Sequence, residues 1–163
     1  MTDTEVTESS RVLVVANQTL GGDQLLNAVQ DRIAQGPCEF WLLVPATPRA
    51  HRATLARAGM EILGHPQMAS AAMEDDYAHA RSRLEFGLTN LRMAGATVDG
   101  DIGHSDPMKA MEETVHQRHF DEIILSTLPS GVSRWLGQDL PRKVERRFHL
   151  PVTVVTATAP AHR

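Results

Sequence analysis

The chain has 163 residues, enough for one domain with a real buried core. Apolar residues make up 42% and charged residues 22%, a globular balance that excludes a disordered chain. The net charge is −4 and no Lys/Arg cluster outruns its acidic neighbours, which argues against a nucleic-acid partner, because phosphate backbones need a basic footprint. No apolar run reaches the length needed to span a membrane. Cys38 is the only cysteine, so an internal disulfide is excluded. A lone thiol and no signal peptide point to the reducing cytoplasm.

Residues 1–10 are polar and acidic and read as a flexible N-terminal tail. Val12-Leu13-Val14-Val15-Ala16 is apolar throughout, the pattern of a strand covered on both faces. Leu25, Val29 and Ile33, four apart, mark the inner face of a helix that Gly36-Pro37 stops. Phe40-Trp41-Leu42-Leu43-Val44 is a second covered strand. Pro45 to Asp76 holds scattered Pro and Gly and reads as irregular, either a flap over the sheet edge or a surface excursion, with a short helix at Thr54 to Met60. Leu84, Leu88 and Leu91 share one face of a longer helix ending near Gly95. Thr97 to Ile102 is a weaker, partly alternating strand, suited to a sheet edge. Asp106-Pro107 starts a helix: the carboxylate can accept from free N–H groups and Pro fits the first turn. Met108, Met111 and Val115 form its apolar face. Glu122 to Ser126 is a fourth strand. Leu140, Val144 and Phe148 line a last helix, and Val152 to Val155 is a fifth strand, entered through Pro151. Residues 157–163 read as a C-terminal tail.

Strands alternating with helices imply right-handed parallel β-α-β units. The expected fold is a single Rossmann-like three-layer α/β/α domain over residues 11–156, with a five-stranded parallel sheet ordered 3-2-1-4-5. Its strand order reverses between the first and fourth strands, and ligands bind outside the carboxyl ends of the strands at such a point.

Three loops converge there. The first, Ala16-Asn17-Gln18-Thr19-Leu20-Gly21-Gly22, can offer backbone N–H groups to an anion, or can be a turn capped by Thr19 or Asp23. The second, Val44 to Pro48, can supply backbone groups and an apolar wall to a flat ring, or simply a stiff turn. The third runs from Ser126 to Asp139. Its hydroxyls at Ser126, Thr127 and Ser130, with Gly131, Arg134 and Gln138, can cradle a phosphate. It also reads as an ordered loop pinned by Trp135, with Asp139 capping the last helix. No Gly-x-Ser-x-Gly elbow follows any strand, so a hydrolase triad is not expected. His116 and His119, near the third helix's end, lack further ligands and read as solvated rather than metal-binding. Cys38 reads as a small buried hydrophobe.

The order of elements, the loop after the fourth strand and the ending Phe148-His149-Leu150-Pro151-Val152-Thr153-Val154-Val155 resemble the universal stress protein family. Gly103-His104-Ser105-Asp106-Pro107 is similar to the family's Gly-x-Pro approach to the third helix. The resemblance implies the adenine-nucleotide α-hydrolase-like fold, a regulatory rather than catalytic role, and an antiparallel homodimer through the fifth strand's edge. It also implies ATP or another adenine nucleotide, held by a Gly-x2-Gly-x9-Gly-[Ser/Thr] loop. In this chain that loop is degenerate. Ser126 and Pro129 stand where glycines belong. The last pair falls on Gln138-Asp139 or, without a gap, on Gly137-Gln138. Asn17 replaces the Asp common in ATP-binding members.

The expectation is a stress-type regulatory protein with a weak phosphate-bearing ligand. The alternatives are a ligand-free homodimeric module and a nucleotide hydrolase or nucleotidyl transferase.

Overall fold

A computed structural model describes residues 8–17, 19–46, 66–127 and 139–157, with the backbone alone at 66–73. The strands are β1 (Ser10–Val15), β2 (Cys38–Pro45), β3 (Val98–Gly103), β4 (Glu122–Thr127) and β5 (Val152–Thr156). The helices are α1 (Asp23–Gln35), α2 (Pro66–Met93), α3 (Pro107–Gln117) and α4 (Leu140–Phe148). All strand pairs are parallel, in the order β3-β2-β1-β4-β5 expected from the sequence.

The sheet is buried on both faces at its centre, and the alternation of side chains assigns each face its helices. Val12, Val14 and Ala16 of β1 point with Phe40, Leu42 and Val44 of β2 toward α1 and α2, where Leu25, Val29, Ala80 and Leu91 meet them. Leu13, Val15, Leu43, Ile123 and Leu125 point the other way, toward Ala110 and Met111 of α3 and Leu140 and Val144 of α4. Burying each of the Val, Leu, Ile, Phe and Met side chains among them contributes about 1.5–3 kcal/mol.

The helix ends follow local chemistry. Asp106 caps α3 by accepting from the N–H groups of Met108 (2.9 Å) and Lys109 (3.4 Å), with Pro107 in the first turn. Gly95, with φ +95°, turns the chain after α2, and the N–H of Ala96 donates to the carbonyl of Leu91 at 3.0 Å. His149 takes the left-handed conformation, φ 54°, to end α4. Two expected caps are not made by side chains. Asp139 occupies the cap position of α4 without such a bond, and α1 is entered through Gly22 rather than capped by Thr19 or Asp23.

Other expectations are corrected. β1 starts at Ser10, so the last tail residue pairs with Cys38. α2 starts at Pro66, so residues 66–76 are helix rather than part of an irregular excursion. Residues 47–65, including Thr54 to Met60, lie outside the described residues. Cys38 is half-buried rather than fully buried, and burial is the main reason its thiol pKa is pushed up, which makes it a poor nucleophile.

The amino edge of the sheet is closed by compensating groups. Arg32 of α1 pairs with Glu122 at the start of β4. Asp121 accepts from the N–H of Arg11 at 2.8 Å and faces His119 Nε2 at 3.3 Å. The Arg11 N–H is the first cause that holds the Asp121 carboxyl below its ordinary range. Arg118 lies 3.6 Å from the centre of the Trp41 ring, a close cation–π contact.

Candidate functional site

The chain runs β1, β2, β3 to one side of the sheet and then β4, β5 to the other, so β1 and β4 flank the reversal. At the carboxyl ends of these two strands sit Asn17 (3% exposed), Thr19 (4%) and Ser126 (1%). They are the buried polar side chains among the described residues. Thr19 Oγ1 and Ser126 Oγ are 2.6 Å apart and share a hydrogen bond across the reversal. A buried hydroxyl without a partner costs about 1–3 kcal/mol, so each fixes the other. Thr19, a candidate helix cap in the sequence, instead ties the loop after β1 to the end of β4.

The second wall of the site comes from α2. Arg83 Nη1 donates to Asn17 Oδ1 at 2.6 Å. The loop after β1 runs along this helix. A Cβ on Gly87 would lie 2.8 Å from Leu20 Cδ2 and 2.7 Å from Leu42 Cδ2, so a larger residue there requires both leucine side chains to shift. A Cβ on Gly21 would lie 2.9 Å from the ring of Phe86 and 3.8 Å from Asn90 Nδ2. Asn90 Nδ2 is itself buried, without a hydrogen-bond partner among the described residues. Phe86 remains 56% exposed although its ring lies against Gly21.

The sequence-derived site residues are distributed as follows. Asn17 and Ser126 come together at the reversal. Ala16 is fully buried, and its N–H donates to the Leu43 carbonyl at 3.2 Å. Val44 is fully buried in the core on the α1/α2 face. Thr127, half-buried, accepts at its carbonyl from the Ala157 N–H at 2.8 Å. Gln18, Ser130, Gly131, Arg134 and Gln138 lie outside the described residues.

Sequence reasoning missed Arg83. An arginine inside a charged helix reads as a solvated face. The available signal was its spacing: Ala80, Arg83, Gly87 and Leu91 fall three and four apart, which places Arg83 on the inner stripe of α2.

Two surface hollows lie elsewhere. One of about 520 Å³ between α3 and α4 is lined by Glu112, His116, Arg147 and Phe148. Its main charges already meet, with Arg147 Nε donating to Glu112 Oε1 at 2.9 Å. The other, about 340 Å³, lies beside Trp41 and Arg118 at the amino edge. Among the described residues no group of three or more His, Cys, Asp or Glu side chains could hold a metal ion. No described helix is long and apolar enough to cross a membrane.

An open parallel sheet of this order, with polar groups gathered at its reversal, is a Rossmann-like α/β fold, and the reversal is where such folds bind ligands. Within that class, solved universal stress proteins share the fold. One in complex with cAMP is 19% identical, with a TM-score of 0.53, covering 91% of this chain and 98% of its own. One from Archaeoglobus fulgidus is 13% identical, with a TM-score of 0.56, covering 90% and 98%. A family member from Arabidopsis thaliana with AMP bound is 15% identical, with a TM-score of 0.56, covering 92% and 93%. No protein-family model and no curated protein matches the sequence. The fold is that of the universal stress proteins.

Proposed function

We propose that this chain is a regulatory protein of the universal stress type that holds an adenine nucleotide or another phosphate-bearing ligand at the β1/β4 crevice, without catalysing a reaction on it. The observation that carries this reading is the gathering of the buried polar side chains at that one edge, with the Arg83 guanidinium on Asn17. Two proteins of the same fold were solved with cAMP and with AMP, which supports an adenine nucleotide as the ligand. In this reading the ligand meets Asn17, Gln18, Ser126, Thr127 and the loop that carries Ser130, Gly131, Arg134 and Gln138. Ala16 and Val44, fully buried, lie in the core beneath it. Pro129 withholds one N–H donor and Asp139 adds a negative charge, so affinity is weak. The free thiol of Cys38 favours a reducing compartment, the cytoplasm.

Thermal-shift titration with ATP, ADP, AMP and cyclic AMP tests the reading. A ligand at a hundredfold its Kd stabilises the native state by about 2.7 kcal/mol, or about 5–10 °C in a domain of this size. A flat response to all four overturns it.

A second reading, a homodimeric interaction module, rests on β5. That strand lies at the sheet edge and leaves Val154 45% exposed. An unpaired edge carrying an apolar side chain invites pairing with another copy. Light scattering at micromolar concentration distinguishes a dimer from a monomer, and Val154→Lys shifts a dimer toward monomer.

A further inference from the structure

We propose that the hollow beside Trp41, at the amino edge of the sheet, is a second ligand site that takes a small zwitterion, an α-amino acid, with its carboxylate on Arg118 and its ammonium on Glu39. This site lies at the opposite end of the sheet from the β1/β4 crevice and does not depend on it.

The hollow follows from where the elements end. Arg11 of β1 and Glu39 of β2 are register partners. Alternation along the strands puts both on the sheet face of Leu13, Trp41 and Leu43, which is the face of α3 and α4. α3 stops at Gln117, and Arg11 and Glu39 are left exposed. Arg118 leaves the helix in an extended conformation, φ −138° and ψ 143°, and its guanidinium comes to 3.6 Å from the centre of the Trp41 ring. Phe40 and Phe120, almost completely buried, back the hollow. Its volume, about 340 Å³, falls in the range of small-molecule sites, about 300–1,000 Å³.

The ion pairs that close the rest of this edge leave the charges of the hollow unused. Arg32 pairs with Glu122, and Asp121 takes up the Arg11 N–H and the His119 ring. Among the described residues, Glu39 and the guanidinium groups of Arg11 and Arg118 have no ion-pair or hydrogen-bond partner. Contact with an indole ring takes up no hydrogen-bond acceptor, so Arg118 keeps donors for an incoming group while the ring limits its motion. A carboxylate is the planar group that this fork matches. Arg11 lines the hollow as a second cation. Glu39 offers acceptors only, and α3 ends at the hollow with the negative pole of its dipole. The site is therefore of mixed sign. Glu39 repels a polyphosphate, and the two guanidinium groups repel a simple amine. A molecule that carries both signs on one carbon satisfies both walls.

The test is an NMR titration of the full chain, read at the indole N–H signal of Trp41, which Trp135→Phe tells apart from that of the other tryptophan. L-alanine, propionate and ethylamine are added at neutral pH and constant ionic strength. L-alanine is expected to give a saturable shift, with propionate and ethylamine about tenfold weaker or more, because each lacks one charge-assisted hydrogen-bonding end. Arg118→Gln is expected to weaken L-alanine by about tenfold. Glu39→Gln, at an exposed strand position, is expected to weaken L-alanine and to strengthen propionate, an opposite response that a merely structural loss does not produce. A Trp41 signal that L-alanine does not move overturns the proposal. So does an L-alanine affinity unchanged in either variant, and so does propionate that binds the wild type as tightly as L-alanine, which marks an unspecific basic patch. If Arg118→Gln does not fold, the opposite responses of Glu39→Gln decide alone.

Discussion

At the amino edge of the sheet, Arg32 meets Glu122, Asp121 meets the Arg11 N–H and His119, and Arg118 covers Trp41. At the carboxyl edge, Thr19 meets Ser126 and Arg83 meets Asn17, and the three shorter partners are almost completely buried. The amino edge uses opposite charges that satisfy one another, most of them in contact with water. The carboxyl edge buries neutral dipoles and places a cation on one of them. Groups that discharge each other close a surface. Hydrogen bonds between buried dipoles are screened less by water and hold their direction. The same sheet therefore has one edge closed mainly by charged groups and one closed mainly by buried neutral hydrogen-bonding groups.

The largest test of this contrast removes Glu122. Both partners of its ion pair are about one-fifth exposed, 18% for Arg32 and 22% for Glu122. The expected cost of Glu122→Ala falls between that of surface and buried pairs, about 2 kcal/mol by urea denaturation. The nucleotide-induced thermal shift is expected to persist in full. A variant that loses that shift would show the two edges to be coupled.

Ser126→Ala comes next. It strands the Thr19 hydroxyl and is expected to cost about 1–2 kcal/mol. Adding Thr19→Val removes the stranded group and is expected to restore most of that stability, so a double-mutant cycle reads the coupling directly. Additive losses would mean that the hydrogen bond contributes nothing to the edge.

The smallest effect is on pH dependence. The folded Asp121 carboxyl titrates below its unfolded value, chiefly because it accepts from the Arg11 N–H. Its contribution is present above the unfolded pKa and is lost as pH falls through the lower folded pKa. Asp121→Asn is expected to flatten that acid limb slightly, measured as the urea midpoint against pH. Asp121 is half-exposed, so solvent screening keeps the effect small.

The strand order was legible because β1, β2 and β4 are continuous apolar runs, which only a doubly covered parallel sheet accommodates. Asp106-Pro107 was legible because a carboxylate before proline specifies a helix start almost by itself. The first turns of α2 were not. Glu74, Asp75 and Asp76 follow a stretch of Ala and Met, with no apolar stripe to set a helical period. Asn17 and Ser126 were legible as loop-end polar residues at a topological reversal. Their partners were not, because no local rule says that Thr19 turns to β4 rather than to α1, or that a helix arginine reaches inward. Those choices depend on how close Gly87 lets α2 approach, which is a property of the packed molecule.

The hydroxyl pair at the crevice joins positions separated by 107 residues. Such a contact forms only after two β-α-β halves have found each other, and contacts this distant along the chain are late and slow to assemble. A compound that bound only the joined halves would hold them together by mass action, with no new contact between them.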